Sequence, residues 1–96
     1  MELQFEYVNI PKNNYFEYLA EEHLNPLAKK FPIVIEAKVL FKVENTSVNI
    51  DNVCLINLKT KESSIVVEAH ETSIEQAIHK TSKSLENELQ NTYKNN

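Results

Sequence analysis

The chain has 96 residues, of which 42% are hydrophobic and 25% charged, a length and composition that fit one domain, residues 1–96, built around a single core. A net charge of −4 excludes a uniformly basic nucleic-acid binder, so phosphate contacts would have to come from a local cationic patch. With no glycine and a single cysteine, the chain can form neither a glycine-dependent phosphate loop nor an intramolecular disulfide.

In chain order, Leu3, Phe5 and Tyr7 alternate with Gln4, Glu6 and Val8, which predicts a first strand from about residue 2 to 9, ended by Pro11. Asn13 or Asn14 can cap a helix starting at Tyr15. Its apolar stripe is Phe16, Leu19, Ala20, His23, Leu24 and Leu27, closed by Phe31, and its polar side carries Glu17, Tyr18, Glu21, Glu22 and Asn25. Pro26 interrupts this pattern. A kink is favoured over a stop near Leu24 and a restart.

The clearest element is the second strand, Ile33 to Glu44. Ile33, Ile35, Ala37, Val39, Phe41 and Val43 are expected on one apolar face. The Asn-rich connection Glu44 to Asn52 has to turn without glycine, which favours Asn and Asp at positive φ. Asn52 to Lys59 predicts a third strand with Cys54, Ile56 and Leu58 on one face. Ser64 to Ala69 predicts a fourth, and the short connections make strands two to four an antiparallel meander.

Thr72 or Ser73 caps the last helix, with Glu75 or Gln76 three residues on. Ile74, Ile78, Thr81, Leu85 and Leu89 form its core stripe, and Lys80, Lys83, Asn87, Gln90, Asn91 and Lys94 line the far side. The tail from Thr92 to Asn96 is expected to fray. The order β-α-β-β-β-α therefore predicts an α+β two-layer sandwich, a four-stranded sheet with two helices on one face.

The residues offer no constellation for covalent chemistry. His23, His70 and His79 lack a metal-ligand spacing, Ser63 and Ser64 lack the setting of a nucleophile elbow, and Cys54 reads as a buried thiol. No enzyme, metal, cofactor or small-molecule substrate is expected. Met1 leads into a strand rather than a signal peptide, and no apolar run approaches the ~20 residues of a membrane span. A cytoplasmic protein with no membrane partner is the simplest reading.

Three segments carry a resemblance. Asn13 to Phe31, Ile33 to Glu44 with Val39-Leu40-Phe41-Lys42-Val43-Glu44, and Ala69 to Leu89 with Ile74, Ala77, Ile78, Leu85 and Leu89 resemble the first helix, long second strand and final helix of the ribosome hibernation promoting factor and ribosome-associated inhibitor family. The resemblance runs nearly the whole chain and is to the short form. It implies a domain lying in the decoding channel of the small ribosomal subunit, held to 16S rRNA phosphates by cationic side chains and stopping translation by occupancy in stationary phase.

Carried over position by position, the resemblance implies rRNA contacts at Lys29 and at Lys38, the latter where relatives carry His, with His23 a partial substitute for a basic residue. Lys30, Lys80, Lys83 and Lys94 can compensate for Glu17, Pro26, Ser84, Asn87, Gln90 and Asn91, which stand where relatives are often basic. The lysine line of the last helix reads two ways, as RNA contact or as solubilising surface. A different class of function is a protein-interaction module on the open sheet face, using Leu40, Val53, Leu55 and Val66, of which homodimerisation is one version.

Overall fold

The computed structural model describes residues 1–93. Its elements are β1 (Glu2–Val8), α1 (Asn14–Lys30), β2 (Val34–Asn45), β3 (Ile50–Thr60), β4 (Ser64–Glu71) and α2 (Ile74–Thr92). They form the expected sandwich, with sheet order β1-β2-β3-β4. β1 runs parallel to β2, because α1 carries the chain back before β2 begins, and β2, β3 and β4 pair antiparallel.

Register arranges the inward side chains in rows across the sheet. Leu3, Ala37, Leu58 and Ile65 form one row, Phe5, Val39, Ile56 and Val67 the next, and Tyr7, Phe41, Cys54 and Ala69 the third. The helices cover these rows with Ala20, Leu24, Leu27, Ile74, Ala77, Ile78, Leu85 and Leu89. Phe41 is the aromatic centre, its ring centroid 6.0 Å from Phe5, 5.3 Å from Tyr7 and 5.8 Å from Phe16. Apolar burial of this kind contributes ~25 cal/mol per Å2 removed from water, the main term holding both layers together.

One inward assignment is corrected. The β2–β3 register shifts between Val34 and Glu36, leaving Ile35 as the extra residue of a bulge. A single inserted residue inverts the alternation. Val34 therefore points inward at 6% exposure, and Ile35, expected in the core, is 42% exposed.

The helix starts follow their caps. Asn13 accepts from the Tyr15 amide through its side chain at 2.9 Å, and Ser73 Oγ accepts from the Gln76 amide at 3.1 Å. Gln76 does not close a reciprocal box on Ser73. Its side-chain oxygen takes the Thr72 hydroxyl instead. α1 runs unbroken through Pro26, which excludes the restart. Pro26 and Glu22 are both exposed, so water can satisfy the Glu22 carbonyl that loses its helical donor. In the buried stripe of α2, Thr81 Oγ1 donates back to the Ala77 carbonyl at 2.8 Å and Ser82 Oγ to the Ile78 carbonyl at 2.7 Å, so their burial strands no hydroxyl.

The turns solve the lack of glycine differently from expectation. Among the described residues, positive φ falls on Asn9, at 59°, in the β1–α1 connection rather than in the Asn-rich hairpin. The hairpin is closed by Thr46, whose amide and hydroxyl both donate to the Asn49 carbonyl at 2.9 Å. The end of α2 also differs. Tyr93, placed in a fraying tail by sequence, packs against the core, and its phenol lies 3.3 Å from Thr60 Oγ1. The rest of that expected tail, residues 94–96, lies outside the described residues.

Candidate nucleic-acid interface

The two helices lie side by side on one face of the sheet, and the candidate side chains follow from their periodicity. Lys29 and Lys30 sit in the last turn of α1, where cations complement the partial negative charge of the helix end. Lys80 and Lys83 are three residues apart and share an exposed face of α2. His23, half-buried on α1, meets His79 of α2 across the helix seam, with ring centroids 5.6 Å apart and planes inclined at 68°. A cleft of about 290 Å3 there is lined by Glu22, His23, Pro26, Leu27, His79, Ser82, Lys83 and Glu86.

Lys29, Lys30, Lys80, Lys83 and His23 thus share the helical layer. Lys38 does not. It stands on the opposite, open face of the sheet, between Gln4 and Asn57 in register, because it is one residue away from the inward Ala37 and Val39. A single flat RNA contact cannot take Lys38 together with the helical lysines. Lys94 lies outside the described residues.

The helical layer is less cationic than its lysines suggest. Lys80 Nζ is 3.4 Å from Glu71 of β4, and Lys30 Nζ is 3.7 Å from Glu86 of α2. Lys30 also lies over the Phe31 ring, 5.7 Å from its centroid. Such exposed pairs contribute little stability, but a phosphate has to compete with the carboxylate for each lysine. Lys29 and Lys83 have no ion pair among the described residues. Sequence reasoning missed His79 and the two neutralising glutamates. No local pattern marks them, since each meets its partner on a different element of the fold.

The open face carries its own cluster. His70 Nδ1 lies 3.4 Å from Asp51 Oδ2, and its Nε2 bonds the Glu68 carboxylate. Hydrogen bonding to Glu68 is the main cause that raises the imidazole pKa above its ordinary value, with Asp51 adding to it. Val53, expected as an exposed contact residue, is 1% exposed beneath its neighbours, Leu40 and Leu55 are half-buried, and Val66 is 58% exposed. Elsewhere, burial pushes the Cys54 thiol up to about 11, opposed by the hydrogen bond it accepts from Thr81. Among the described residues no three His, Cys, Asp or Glu side chains cluster as metal ligands, and no helix is long and apolar enough to cross a membrane.

A four-stranded sheet backed by two helices, with lysines and two histidines along the helical layer, defines a small α+β domain. Residues 3–95 match the family model described as Sigma 54 modulation protein / S30EA ribosomal protein, and the chain belongs to that family, the ribosome hibernation factor family its sequence resembles. Among solved structures it is similar to a ribosomal subunit interface protein from Coxiella burnetii, with a TM-score of 0.86 at 15% identity, covering 99% of this chain and 100% of that one. It is also similar to the N-terminal domain of Protein Y from Thermus thermophilus, with a TM-score of 0.79 at 16% identity, covering 95% and 98%. At these identities the likeness is one of fold. No curated protein sequence matches the chain.

Proposed function

We propose that this protein is a ribosome-binding translation inhibitor that occupies the decoding channel of the small subunit in stationary phase. The observation that carries the reading is membership of a ribosome-associated family across residues 3–95 in a chain whose helical layer presents Lys29, Lys30, Lys80 and Lys83 together. These lysines and His23 contact 16S rRNA phosphates, and inhibition is steric, with no reaction catalysed. Its place of action is the cytoplasm, where its ribosomal partner is. Lys38 faces the other way and contacts a second wall of the channel.

Two of the four helical lysines are already paired to carboxylates, so binding is weak and moderately salt-dependent for a protein of this class. The test is co-sedimentation of the purified protein with ribosomes across a salt series. Binding at low salt is expected, with log K falling by ~0.9 per phosphate contact for each log unit of salt. Protein that stays in the soluble top fractions even at low salt overturns the proposal.

A further inference from the structure

We propose that His23 and His79 form a proton-linked phosphate site in the seam between α1 and α2, so that RNA binding by this surface strengthens as pH falls. The inference rests on the proposed ribosome-binding role of the helical layer and adds to it a residue, His79, and a mode of regulation. The two rings come from different helices, stand 5.6 Å apart and open on a cleft that also presents Lys83 and the Ser82 side. His79 lines the adjoining cleft as well, with Glu71, Glu75, Gln76, Lys80 and Lys83.

Charge in the seam decides when a phosphate can enter. The carboxylates facing the histidines are Glu22 from α1, Glu71 from β4, and Glu75 and Glu86 from α2. The cations facing them are Lys80 and Lys83, with Lys30 reaching Glu86 from the end of α1. With neutral imidazoles the four carboxylates outnumber the three ammonium groups, which weakens the seam's hold on a phosphate.

Histidine is the side chain whose ordinary titration falls between pH 5 and 8. Protonating both rings reverses the balance and turns every ring nitrogen into a donor. Two imidazolium rings this close repel each other, and a phosphate oxygen seated in the cleft on which both rings open relieves that repulsion. Anion binding and proton uptake are therefore coupled, and each favours the other.

The test measures affinity for small ribosomal subunits at pH 8.0 and pH 6.0 at fixed salt, for the parent and for the double variant His23→Gln, His79→Gln. The parent is expected to bind about tenfold tighter at pH 6.0, which corresponds to a linked uptake of roughly half a proton averaged over those two pH units, and the double variant is expected to lose that gain. An identical pH dependence in parent and variant, or none in the parent, overturns the proposal. Failure of both proteins to bind at either pH instead overturns the ribosome reading. The site is then judged by NMR of the imidazole resonances at pH 6.0 with inorganic phosphate. Saturable shifts of both rings, absent with chloride at equal ionic strength, support the site, and unmoved rings refute it.

Discussion

Lys80 Nζ lies 3.4 Å from the carboxylate of Glu71, so a lysine on the outer line of α2 is tied to the last residue of β4. Lys83, one turn on, has no ion pair among the described residues. Two side chains that look equivalent in the sequence are thereby unequal as phosphate contacts.

Salt dependence should register that inequality. Lys83→Ala is expected to reduce the slope of log K against log salt by ~0.9, the value of one phosphate contact on a duplex-like site. Lys80→Ala should reduce it by less, and Glu71→Gln should tighten binding by releasing Lys80. Reversing both lysines to Glu should abolish ribosome binding while thermal stability changes by only ~0.5 kcal/mol per exposed site. A double reversal that sediments with ribosomes as well as the parent would remove α2 from the RNA interface.

The bulge at Ile35 makes neighbouring apolar residues respond in opposite ways. Val34→Ser removes a buried side chain and is expected to destabilise the fold by about 2 kcal/mol. Ile35→Ser should stay within ~0.5 kcal/mol, as exposed substitutions usually do. Urea denaturation of the two variants checks this, and a larger loss for Ile35 would mean that the regular alternation, not the bulge, describes the strand.

His70 is expected to couple stability to pH. Its folded pKa is raised by Glu68 and Asp51, so its stabilising contribution is present in full below the unfolded value of ~6.5 and fades as pH rises through the folded value. The parent should therefore exceed His70→Gln in stability by more at pH 5.5 than at pH 8.5. The group is exposed, which keeps the effect small and sensitive to salt. Equal differences at the two pH values, measured by thermal melts, would leave the Asp51–His70–Glu68 cluster without energetic weight.

Cys54 should be unreactive in the native state. Its thiol is fully buried and its pKa is pushed up to about 11, so at pH 8 almost none is thiolate, the form that reacts. Modification by a thiol-specific disulfide reagent should be slow in buffer and rise in step with unfolding as urea is added. Fast labelling without denaturant would show that the seam between α2 and β3 opens readily.

The sequence by itself determined the elements and most of what they bury. Period-two runs turn Phe5, Val39, Ile56 and Val67 inward, helical spacing buries Leu24, Ile78, Leu85 and Leu89, and the caps fall within the pairs Asn13 or Asn14 and Thr72 or Ser73, of which Asn13 and Ser73 make the bonds. These features are legible because periodic burial and capping depend on residues a few positions apart. Lys80 and Lys83 were also legible on the outward face of the last helix, and Lys29 and Lys30 as cations near the end of the first, whereas His23 reads on the apolar stripe of α1, where it is half-buried. Only the tertiary structure decided that Val34 rather than Ile35 turns inward, that Lys38 stands on the face away from the other lysines, and that Glu71 and Glu86 occupy Lys80 and Lys30. It alone brought His23 to His79. Each of those outcomes depends on how separate elements are registered and packed against one another, and the spacing of residues within one element carries no information about its neighbour across the fold.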